Sequence, residues 1–248
     1  MKSLITIVFI LFKINFALAQ DQGERILIGL SAASPPYIMK DRRSGYEIEI
    51  IREIFERHKY KVDFFFAPNK RIIEKFAQKN LDAIVNIDND FIRKATPTKV
   101  YPSETLVTFK NIVITMKGKK LKDLNSLLGK RVLGFQNARV LLGKDFKKLS
   151  SQLKYYNETT NQETQVMMLL RGRIDVAISD QGIFNYFAKL HLKDKKVSDH
   201  FDFHPFFGQS PRSIIFHSKK LQEIFNSELQ KLKNEGIIRD LNEKYSIH

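Results

Sequence analysis

The regular alternation of short apolar runs and amphipathic segments is the feature that most constrains the fold of this chain of 248 residues. The apolar runs are rich in residues that favour β-strands, and the segments between them carry apolar residues at helical spacing. The strand-like runs are residues 26–30, 61–66, 81–85, 106–116, 131–135 and 174–179. Strands that alternate with helices form mainly parallel sheets with helices packed on their faces. The sequence therefore predicts an α/β fold.

The chain also contains two pairs of similar segments. Residues 76–85 and 169–178 both show the end of a helix, a polar turn, an aspartate and a buried strand. Residues 26–30 and 131–135 both reach a glycine at the fourth position of a strand and continue into a loop and a helix. One such match could arise by chance, because helix–turn–strand units look alike. Two matches in the same order indicate two similar α/β lobes.

The first 19 residues have the composition of a secretory signal peptide. Lys2 gives a basic start, residues 4–12 are apolar, and residues 17–19 (Ala-Leu-Ala) form a small-x-small cleavage pattern. Lys13 interrupts the apolar run, which is therefore too short for a spanning helix of about 20 residues. An uncleaved anchor is the less favoured alternative. We expect cleavage after Ala19 and export of the mature chain to the periplasm.

The charge and the lack of cysteine restrict the possible partners. Cysteine is absent from the sequence, so disulfides, thiolate metal ligands and attachment of a lipid to cysteine are excluded. The formal net charge is +15, and removal of Lys2 and Lys13 with the signal segment lowers it to +13. Such a charge suits nucleic acid, an anionic membrane surface or an acidic ligand. However, the lysines are scattered over residues 117–122, 144–148 and 193–196, which favours a solvated basic surface. Export argues against nucleic acid as a partner. We expect the protein to be a monomer and to bind no cofactor.

The loop at residues 34–49 follows the first predicted strand and precedes a helix. Pro35-Pro36 holds its backbone extended, Gly45 allows a tight turn, and acidic residues from Glu47 onward suit the first turn of a helix. Open α/β sheets bind ligands at the carboxyl ends of their strands, which is where this loop lies. The loop is therefore either a ligand-binding element or an ordinary connection between a strand and a helix.

The order of several motifs along the chain resembles that of one protein family. The motifs are Pro35-Pro36-Tyr37, Gly45-Tyr46-Glu47-Ile48-Glu49, Asn80-Leu81-Asp82-Ala83-Ile84, Asp123-Leu124, Gly129-Lys130-Arg131-Val132 and Gly172-Arg173-Ile174-Asp175-Val176. Together with the signal segment, this order is similar to that of the bacterial extracellular solute-binding proteins of family 3, the periplasmic type that binds polar amino acids. The resemblance covers nearly all of the mature chain.

The resemblance implies a type II periplasmic-binding-protein fold. Two lobes, each with a mainly parallel sheet flanked by helices, would be joined by two hinge strands. The lobes would comprise residues 20–111 with 213–248, and residues 112–212. The crossings would fall near residues 113–117 and 207–214, and one last helix over residues 221–245 would pack on the first lobe. A small polar ligand would lie between the lobes and be buried by hinge closure.

The resemblance also implies a set of ligand contacts around the cleft. They are Tyr37, Tyr46, Asn86, Asp88, Lys110, Asn111, Asn137, Arg139 and Asp180. Tyr37 and Tyr46 would form apolar walls, although Tyr46 fits a core position equally well. Asp180 would accept the ammonium group of the ligand or cap the helix that follows it.

The remaining contacts bear on the class of ligand. Backbone N–H groups at Asn137 would bind a carboxylate or another anion, and Arg139 would add charge there or point to solvent. Lys110 and Asn111 stand near the place where the resemblance implies an arginine that grips an α-carboxylate, and neither has a guanidinium group. Asp88 adds an acid to the first-lobe loop. We therefore expect a ligand with an amine or many hydroxyls and no obligatory α-carboxylate.

The resemblance implies that the ligand is captured for an ABC importer, with an ABC permease or a membrane receptor as partner. Two alternatives stay open: a sensing module that docks on a receptor, and a dehydratase-like enzyme of the same fold. The candidate acids of such an enzyme are Glu47, Asp88, Glu163 and Asp180. The sequence contains no Ser-His-Asp order and no HExxH motif, and its histidines are scattered. An enzyme is therefore less favoured, and no metal site is expected.

Overall fold

The computed structural model describes residues 24–31, 34–39, 41, 43–86, 92, 95–193 and 195–247. The predicted signal segment and Asp88 lie outside the described residues. The strands are β1 (Arg25–Leu30), β2 (Lys61–Phe66), β3 (Ala83–Val85), β4 (Tyr101–Pro102), β5 (Val107–Met116), β6 (Arg131–Phe135), β7 (Tyr155–Thr159), β8 (Val176–Asp180), β9 (Phe201–His204), β10 (Gln209–Arg212) and β11 (Ile214–Phe216). The α-helices are α1 (Tyr46–Glu56), α2 (Asn69–Ala77), α3 (Ala138–Leu141), α4 (Lys144–Ser150), α5 (Glu163–Leu170), α6 (Gln181–Leu192), α7 (Lys219–Asn234) and α8 (Ile237–Tyr245). Two short 3-10 helices lie at Leu124–Leu127 and Val197–Asp199.

The strands form two mixed sheets, one in each lobe. The first has the order β2-β1-β3-β11-β4; β1 is parallel to β2 and β3, and β11 is antiparallel to β3 and β4. The second has the order β10-β5-β8-β6-β7, with β9 also paired to β5. In it, β6 is parallel to β7 and β8, and β5 is antiparallel to β8, β9 and β10. Each sheet thus has a three-stranded parallel part, as the alternation predicts, with antiparallel strands on one side of it.

Two aspartates of the sequence repeat have the same role in the two sheets. Asp82 accepts the N–H of Leu27 at 2.7 Å and donates its own N–H to the Leu27 carbonyl oxygen at 2.9 Å. Asp175 makes the same pair of hydrogen bonds with Arg131, at 2.8 Å and 2.9 Å. Each aspartate joins the start of its own strand to the start of a parallel neighbour. The repeat in the sequence therefore reflects two lobes that are built on one pattern.

Two adjacent segments connect the lobes. The chain leaves the first sheet after Pro102 and enters the second at Val107, and it returns between Arg212 and Ile214. The two segments run side by side, because Ser103 donates its N–H to the Ile214 carbonyl oxygen and Leu106 to that of Arg212, both at 2.8 Å.

The return segment agrees with the crossing predicted near residues 207–214. The other crossing, predicted near residues 113–117, is wrong because Val113 to Met116 pair with β8 and β9 inside the second sheet. The exact lobe boundaries stay a prediction.

The carboxyl-terminal segment forms two helices where the sequence predicted one. α7 and α8 are separated at Gly236, whose φ of 83° lies in the left-handed region that favours glycine. α7 packs on α1 and β11 of the first lobe, and α8 packs on α1 and α7. Among the helices of the described ranges, none combines the length and the apolar character needed to cross a bilayer.

The core of the first lobe follows the predicted helical spacing. Ile48, Ile51, Ile54 and Phe55 form the fully buried face of α1. The ring of Phe55 packs against Phe216 of β11 and Phe225 of α7, with ring centroids 6.0 Å and 6.3 Å away. This packing fixes α1 against β11 and α7, and the loop that precedes α1 follows the carboxyl end of β1.

Candidate functional site

A hydrogen bond between the lobes marks the centre of the candidate site. Tyr37 belongs to the loop between β1 and α1 of the first lobe, and Asp180 is the last residue of β8 in the second. The hydroxyl of Tyr37 donates to Oδ1 of Asp180 at 2.9 Å, and both side chains are buried. The carboxyl ends of strands from both lobes therefore meet at this point, where ligands bind in open α/β sheets.

The carboxylate of Asp180 accepts several hydrogen bonds. Its Oδ1 also accepts the N–H of Ile183 at 3.0 Å, which makes it the N-cap of α6, and its Oδ2 accepts the backbone N–H of Lys110 at 2.8 Å. The expected helix cap is thus present. Burial raises the pKa of Asp180 above its ordinary value, although the hydrogen bonds act in the opposite direction. A cation placed beside this carboxylate would remove much of the cost of its burial.

Two aromatic rings pack against the ring of Tyr37. The Tyr37 ring is 2 % exposed, and its centroid lies 4.8 Å from that of Phe109 and 6.5 Å from that of Tyr46. The guanidinium of Arg212 lies over the ring of Phe109, 5.5 Å from its centroid. Burial raises the pKa of Tyr46 to about 12 and also raises the pKa of Tyr37. Tyr46 therefore packs behind Tyr37, while Phe109 and Arg212 are neighbours that the sequence reasoning missed.

The backbone at Gly45 fixes the loop that carries Tyr37. Glu47 donates its N–H to the Tyr37 carbonyl oxygen, and Tyr46 donates to that of Pro36, both at 3.1 Å. Gly45 itself donates to the hydroxyl of Tyr245 in α8 at 3.0 Å. Its φ of 128° and ψ of 158° lie in a region that is open almost only to glycine. A Cβ atom there would lie 2.4 Å from the carbonyl oxygen of Tyr37.

We therefore expect Gly45→Ala to destabilise the protein by about 1–3 kcal/mol, because it adds backbone strain and displaces the Tyr37 loop. Chemical denaturation would measure this loss. Gly118→Ala is the matched control, since Gly118 also has a positive φ (84°) but no atom within 4 Å of the added Cβ. Equal losses in the two variants would show that the contact with Tyr37 has no effect beyond strain.

A second buried carboxylate lies beneath the Tyr37 loop. Both oxygens of Glu47 accept from Nδ2 of Asn86, at 2.7 Å and 2.8 Å, and Glu47 is fully buried. Burial raises its pKa to about 7; the hydrogen bond from Asn86 and the charge of Arg212 oppose the shift, and the charge of Asp180 adds to it. Asn86 is a predicted ligand contact, but in the structure its amide group donates to Glu47. The sequence indicates Glu47 only as a candidate acid of an enzyme, and its Gly45-Tyr46-Glu47 motif is the available signal for a structural role.

The predicted anion site at the start of α3 is filled by the protein's own carboxylate. Glu158, on β7, accepts the N–H of Asn137 at 2.7 Å and that of Arg139 at 2.8 Å. It also accepts the hydroxyl of Tyr156 at 2.8 Å, and the guanidinium of Arg139 lies 5.2 Å from the centroid of that ring. Burial raises the pKa of Glu158, but these hydrogen bonds outweigh it, so the pKa is lower than usual. The sequence reasoning missed Glu158 entirely.

The space beside Asp180 is small in this conformation. A cavity of about 10 Å³ is lined by Tyr37, Thr108, Lys110, Asp180, Gln181, Gly182, Asn185, Ser246 and Ile247. Such a volume suits about one water molecule. Entry of a ligand the size of an amino acid therefore requires the two lobes to separate.

The predicted site residues thus fall into three groups. Tyr37, Lys110 and Asp180 converge at the centre, and Asn111 lies opposite Asp180 in the pairing of β5 with β8. Tyr46 and Asn86 support the loop, and Asn137 and Arg139 bind Glu158. Asp88 lies outside the described residues. Within the described part of the chain, no cluster of three or more His, Asp or Glu side chains could hold a metal ion.

Comparison with known proteins gives the family of this chain. The family model of the bacterial extracellular solute-binding proteins, family 3, matches residues 26–248. The chain belongs to this family.

Two curated relatives and one solved structure illustrate the similarity. The L-cystine-binding protein TcyA of Bacillus subtilis is 22% identical over 211 residues, which cover 83% of this chain and 73% of the relative. A probable amino-acid ABC transporter-binding protein of Haemophilus influenzae is 22% identical over 230 residues, covering 89% and 84%. A structure described in connection with glutathione import via GshT and the cystine ABC importer TcyBC of Streptococcus mutans has a TM-score of 0.70 and 19% identity, covering 90% and 95%. The fold is that of type II periplasmic binding proteins.

Proposed function

We propose that this protein captures a small polar ligand bearing an amine between its two lobes, in the periplasm, and delivers it to an ABC importer. One observation carries the proposal: Asp180 is buried where the lobes meet, and its partner in the first lobe is the hydroxyl of Tyr37. A buried carboxylate at a junction that must open is suited to a ligand cation. Delivery to an importer is supported by the names of the relatives, a cystine-binding protein and an amino-acid transporter protein.

The exchange of partners at Asp180 gives the proposed mechanism. When the lobes separate, the Tyr37 hydroxyl withdraws and Oδ1 of Asp180 becomes accessible from the cleft. The N–H groups of Ile183 and Lys110 belong to the second lobe and stay with the carboxylate. An ammonium group then binds the freed oxygen with a charge-assisted hydrogen bond, which is roughly twice as strong as a neutral one. Closure returns Tyr37 of the first lobe over the bound ligand, where its ring meets Phe109 of the second lobe and the two form an apolar wall.

A carboxylate on the ligand is not required by this mechanism. The N–H donors of Asn137 and Arg139, which were the predicted place for such a group, already bind Glu158. Lys110 lines the cavity and is the cationic residue among its lining residues. It is therefore our candidate partner for any acidic group that the ligand carries. Amino acids, diamines and polyamines all satisfy Asp180, and Lys110 selects among them.

Binding is favoured over catalysis by the way the carboxyl groups are held. Glu47 has a pKa of about 7, which suits an acid or base catalyst, but it is fully buried and both of its oxygens face Asn86. Asp180 is tied to α6 and β5 by backbone donors. Glu47 is thus not presented to a substrate, and Asp180 keeps its backbone donors when the lobes separate, which suits a fixed partner for a ligand cation. We therefore propose a binding protein and not a dehydratase-like enzyme.

A ligand screen on the purified protein tests the proposal. Thermal shift with standard amino acids, cystine, diamines, polyamines and sugars should show stabilisation by amine-bearing compounds, followed by titration calorimetry of each hit. Turnover of each hit is then assayed by chromatography. Stabilisation by sugars or dicarboxylates alone would contradict recognition of an amine, and conversion of a hit into product would contradict binding without catalysis.

Tyr37→Phe should open the unliganded protein. The variant keeps the ring that packs on Phe109 but removes the hydrogen bond to Asp180, and a bond to a charged group contributes about 1.5–3 kcal/mol. Small-angle scattering should therefore show a larger radius of gyration than for the parent. Tyr46→Phe, which removes a hydroxyl from the adjacent ring, is the matched control. An unchanged radius in Tyr37→Phe would mean that other contacts hold the lobes together.

A further inference from the structure

The second lobe has a surface on the side opposite the cleft, formed by the strand ends farthest from Asp180. The parallel strands β6, β7 and β8 all begin there. β5 runs antiparallel to β8, with Thr115 opposite Val176, so the last residue of β5 lies at the same edge. α6 begins at the cleft, next to Asp180, and its 12 residues lead back to this edge. Segments that are far apart in sequence therefore meet on one face.

Basic residues converge on this face. Those exposed in the turns and strand starts at this edge are Lys117, Lys119, Lys120, Lys122, Arg131, Lys154, Arg171, Arg173, Lys193, Lys195 and Lys196. The acidic residues described in the same segments are Asp123, Asp175, Asp199 and Asp202; Asp194 lies outside the described residues. We call this face the basic end of the second lobe. Asp202 pairs with Lys117 at 3.1 Å and Asp175 with Arg131 at 2.7 Å, so the basic charge remains in large excess.

Exposed apolar side chains lie among these cations. Six large hydrophobic residues of the described chain are prominently exposed, and four of them lie at the basic end: Leu128, Tyr155, Leu170 and Leu190, from 36% to 56% exposed. Leu170 directly precedes Arg171, and the ammonium of Lys154 lies 5.2 Å from the centroid of the Tyr155 ring. At this edge the starts of β9, β8, β6 and β7 and the end of β5, in the order β9-β5-β8-β6-β7, span about 20 Å, because neighbouring strands lie about 4.8 Å apart.

We propose that the basic end of the second lobe docks on a bilayer of anionic phospholipid. Clustered lysines and arginines bind anionic headgroups, while leucine and tyrosine side chains insert at the boundary with the acyl chains. Lysine stems lie along apolar surface while their ammonium groups reach the headgroups. A nucleic acid would use the cations but would leave the leucines in water. The combination of both residue types on one face therefore favours a lipid surface.

This docking would leave the binding site free. The cleft lies at the opposite ends of the same strands, so the lobes can open and close while the basic end contacts the bilayer. The protein would then move in two dimensions near the membrane instead of diffusing through the compartment. The inference is independent of the ligand and of the amine that we propose it carries.

Sedimentation with lipid vesicles tests the proposal on the purified protein. Vesicles of phosphatidylcholine with phosphatidylglycerol should bind the protein, and vesicles of phosphatidylcholine alone should not. Reversing four lysines of the basic end (Lys119→Glu, Lys120→Glu, Lys195→Glu and Lys196→Glu) should lower the partition constant by about tenfold or more, because each cation near the surface contributes. Leu128→Ser with Leu190→Ser should lower the binding that persists in about 0.5 M salt, where charge is screened.

The matched control reverses four exposed lysines of the first lobe: Lys59→Glu, Lys61→Glu, Lys70→Glu and Lys79→Glu. This control lowers the net charge by the same amount as the basic-end variant. It should alter the partition constant by no more than about twofold. Circular dichroism confirms that each variant is folded. Equal losses in the two charge variants would overturn the proposal in favour of general attraction, and unchanged binding of the basic-end variant would overturn it outright. Association of the protein with itself through this face, detected by sedimentation velocity without lipid, would also overturn it.

Discussion

Asp180→Asn is expected to weaken the binding of an amine-bearing ligand by about 2–5 kcal/mol, the usual cost of removing one partner from a buried charge pair. The substitution keeps the shape of the side chain, and asparagine also caps helices well. The N–H of Ile183 therefore retains an acceptor, and α6 should begin at the same residue. The variant loses the negative charge that faces the ligand, and its amide nitrogen cannot accept the N–H of Lys110 as Oδ2 does. Titration calorimetry of the parent and the variant, with a ligand identified by thermal shift, measures the difference.

Asp175→Asn is the matched control for Asp180→Asn. Asp175 precedes the other end of β8, where it binds the guanidinium and the backbone N–H of Arg131, far from the cleft. We expect this control to cost stability but to leave ligand affinity unchanged. The family resemblance alone permits another outcome, in which a common α-amino acid binds tightly and does not depend on Asp180. That result would show that the amine is recognised elsewhere.

The fold could be predicted from the sequence because local patterns specify it. The alternation of apolar runs and helical spacing gave the parallel part of each sheet, and the aspartates of the repeat, Asp82 and Asp175, have matching hydrogen bonds. Where the prediction failed, the pattern was ambiguous. The run at residues 106–116 is one uniform strand in sequence, so nothing in it marks where the chain crosses between lobes. Likewise Gly236 interrupts a pattern that otherwise continues as one helix.

The candidate site could be predicted only where one motif carries the chemistry. Tyr37 and Asp180 were identified from the order of motifs, and their mutual hydrogen bond requires the packing of two lobes. Glu158 could not be assigned from sequence, because its contact with Asn137 depends on the register that places Gly134 opposite Glu158 in the β6–β7 pair. A shift by one residue would turn this carboxylate to the other face of the sheet.

The clustering of surface charge likewise could not be predicted from the sequence. Along the sequence, the lysines near residues 117–122 and 193–196 look like separate, solvated turns, and this was the favoured interpretation. Antiparallel pairing of β5 with β9 brings the turns together, because Lys117 donates its N–H to the carbonyl oxygen of His200 at 2.8 Å. Charge clustering is therefore a property of the topology, and counting charges along the chain underestimates it.

Glu47→Gln should make the protein more stable at pH 8 and remove a pH dependence that the parent shows. The pKa of Glu47 rises from 4.5 to about 7 in the folded protein because the carboxyl group is buried. Below a pH of about 4.5, Glu47 is protonated in both the folded and the unfolded states, so its contribution to stability is fully present. As the pH rises to about 7, the unfolded chain releases the proton while the folded protein retains it. Stability is lost over this interval, by about 3 kcal/mol for a shift of this size.

Glutamine is neutral throughout this interval, so the variant should lack the loss. Its amide oxygen still offers an acceptor to Nδ2 of Asn86. The free energy of unfolding, measured in urea between about pH 4 and 8, should therefore fall with pH in the parent and stay flatter in Glu47→Gln. Glu56→Gln, at the exposed end of α1, controls for replacing a glutamate in the same helix. Parallel curves for the parent and Glu47→Gln would mean that the carboxyl group is ionised at neutral pH, and that the charge of Arg212, together with Asn86, outweighs its burial.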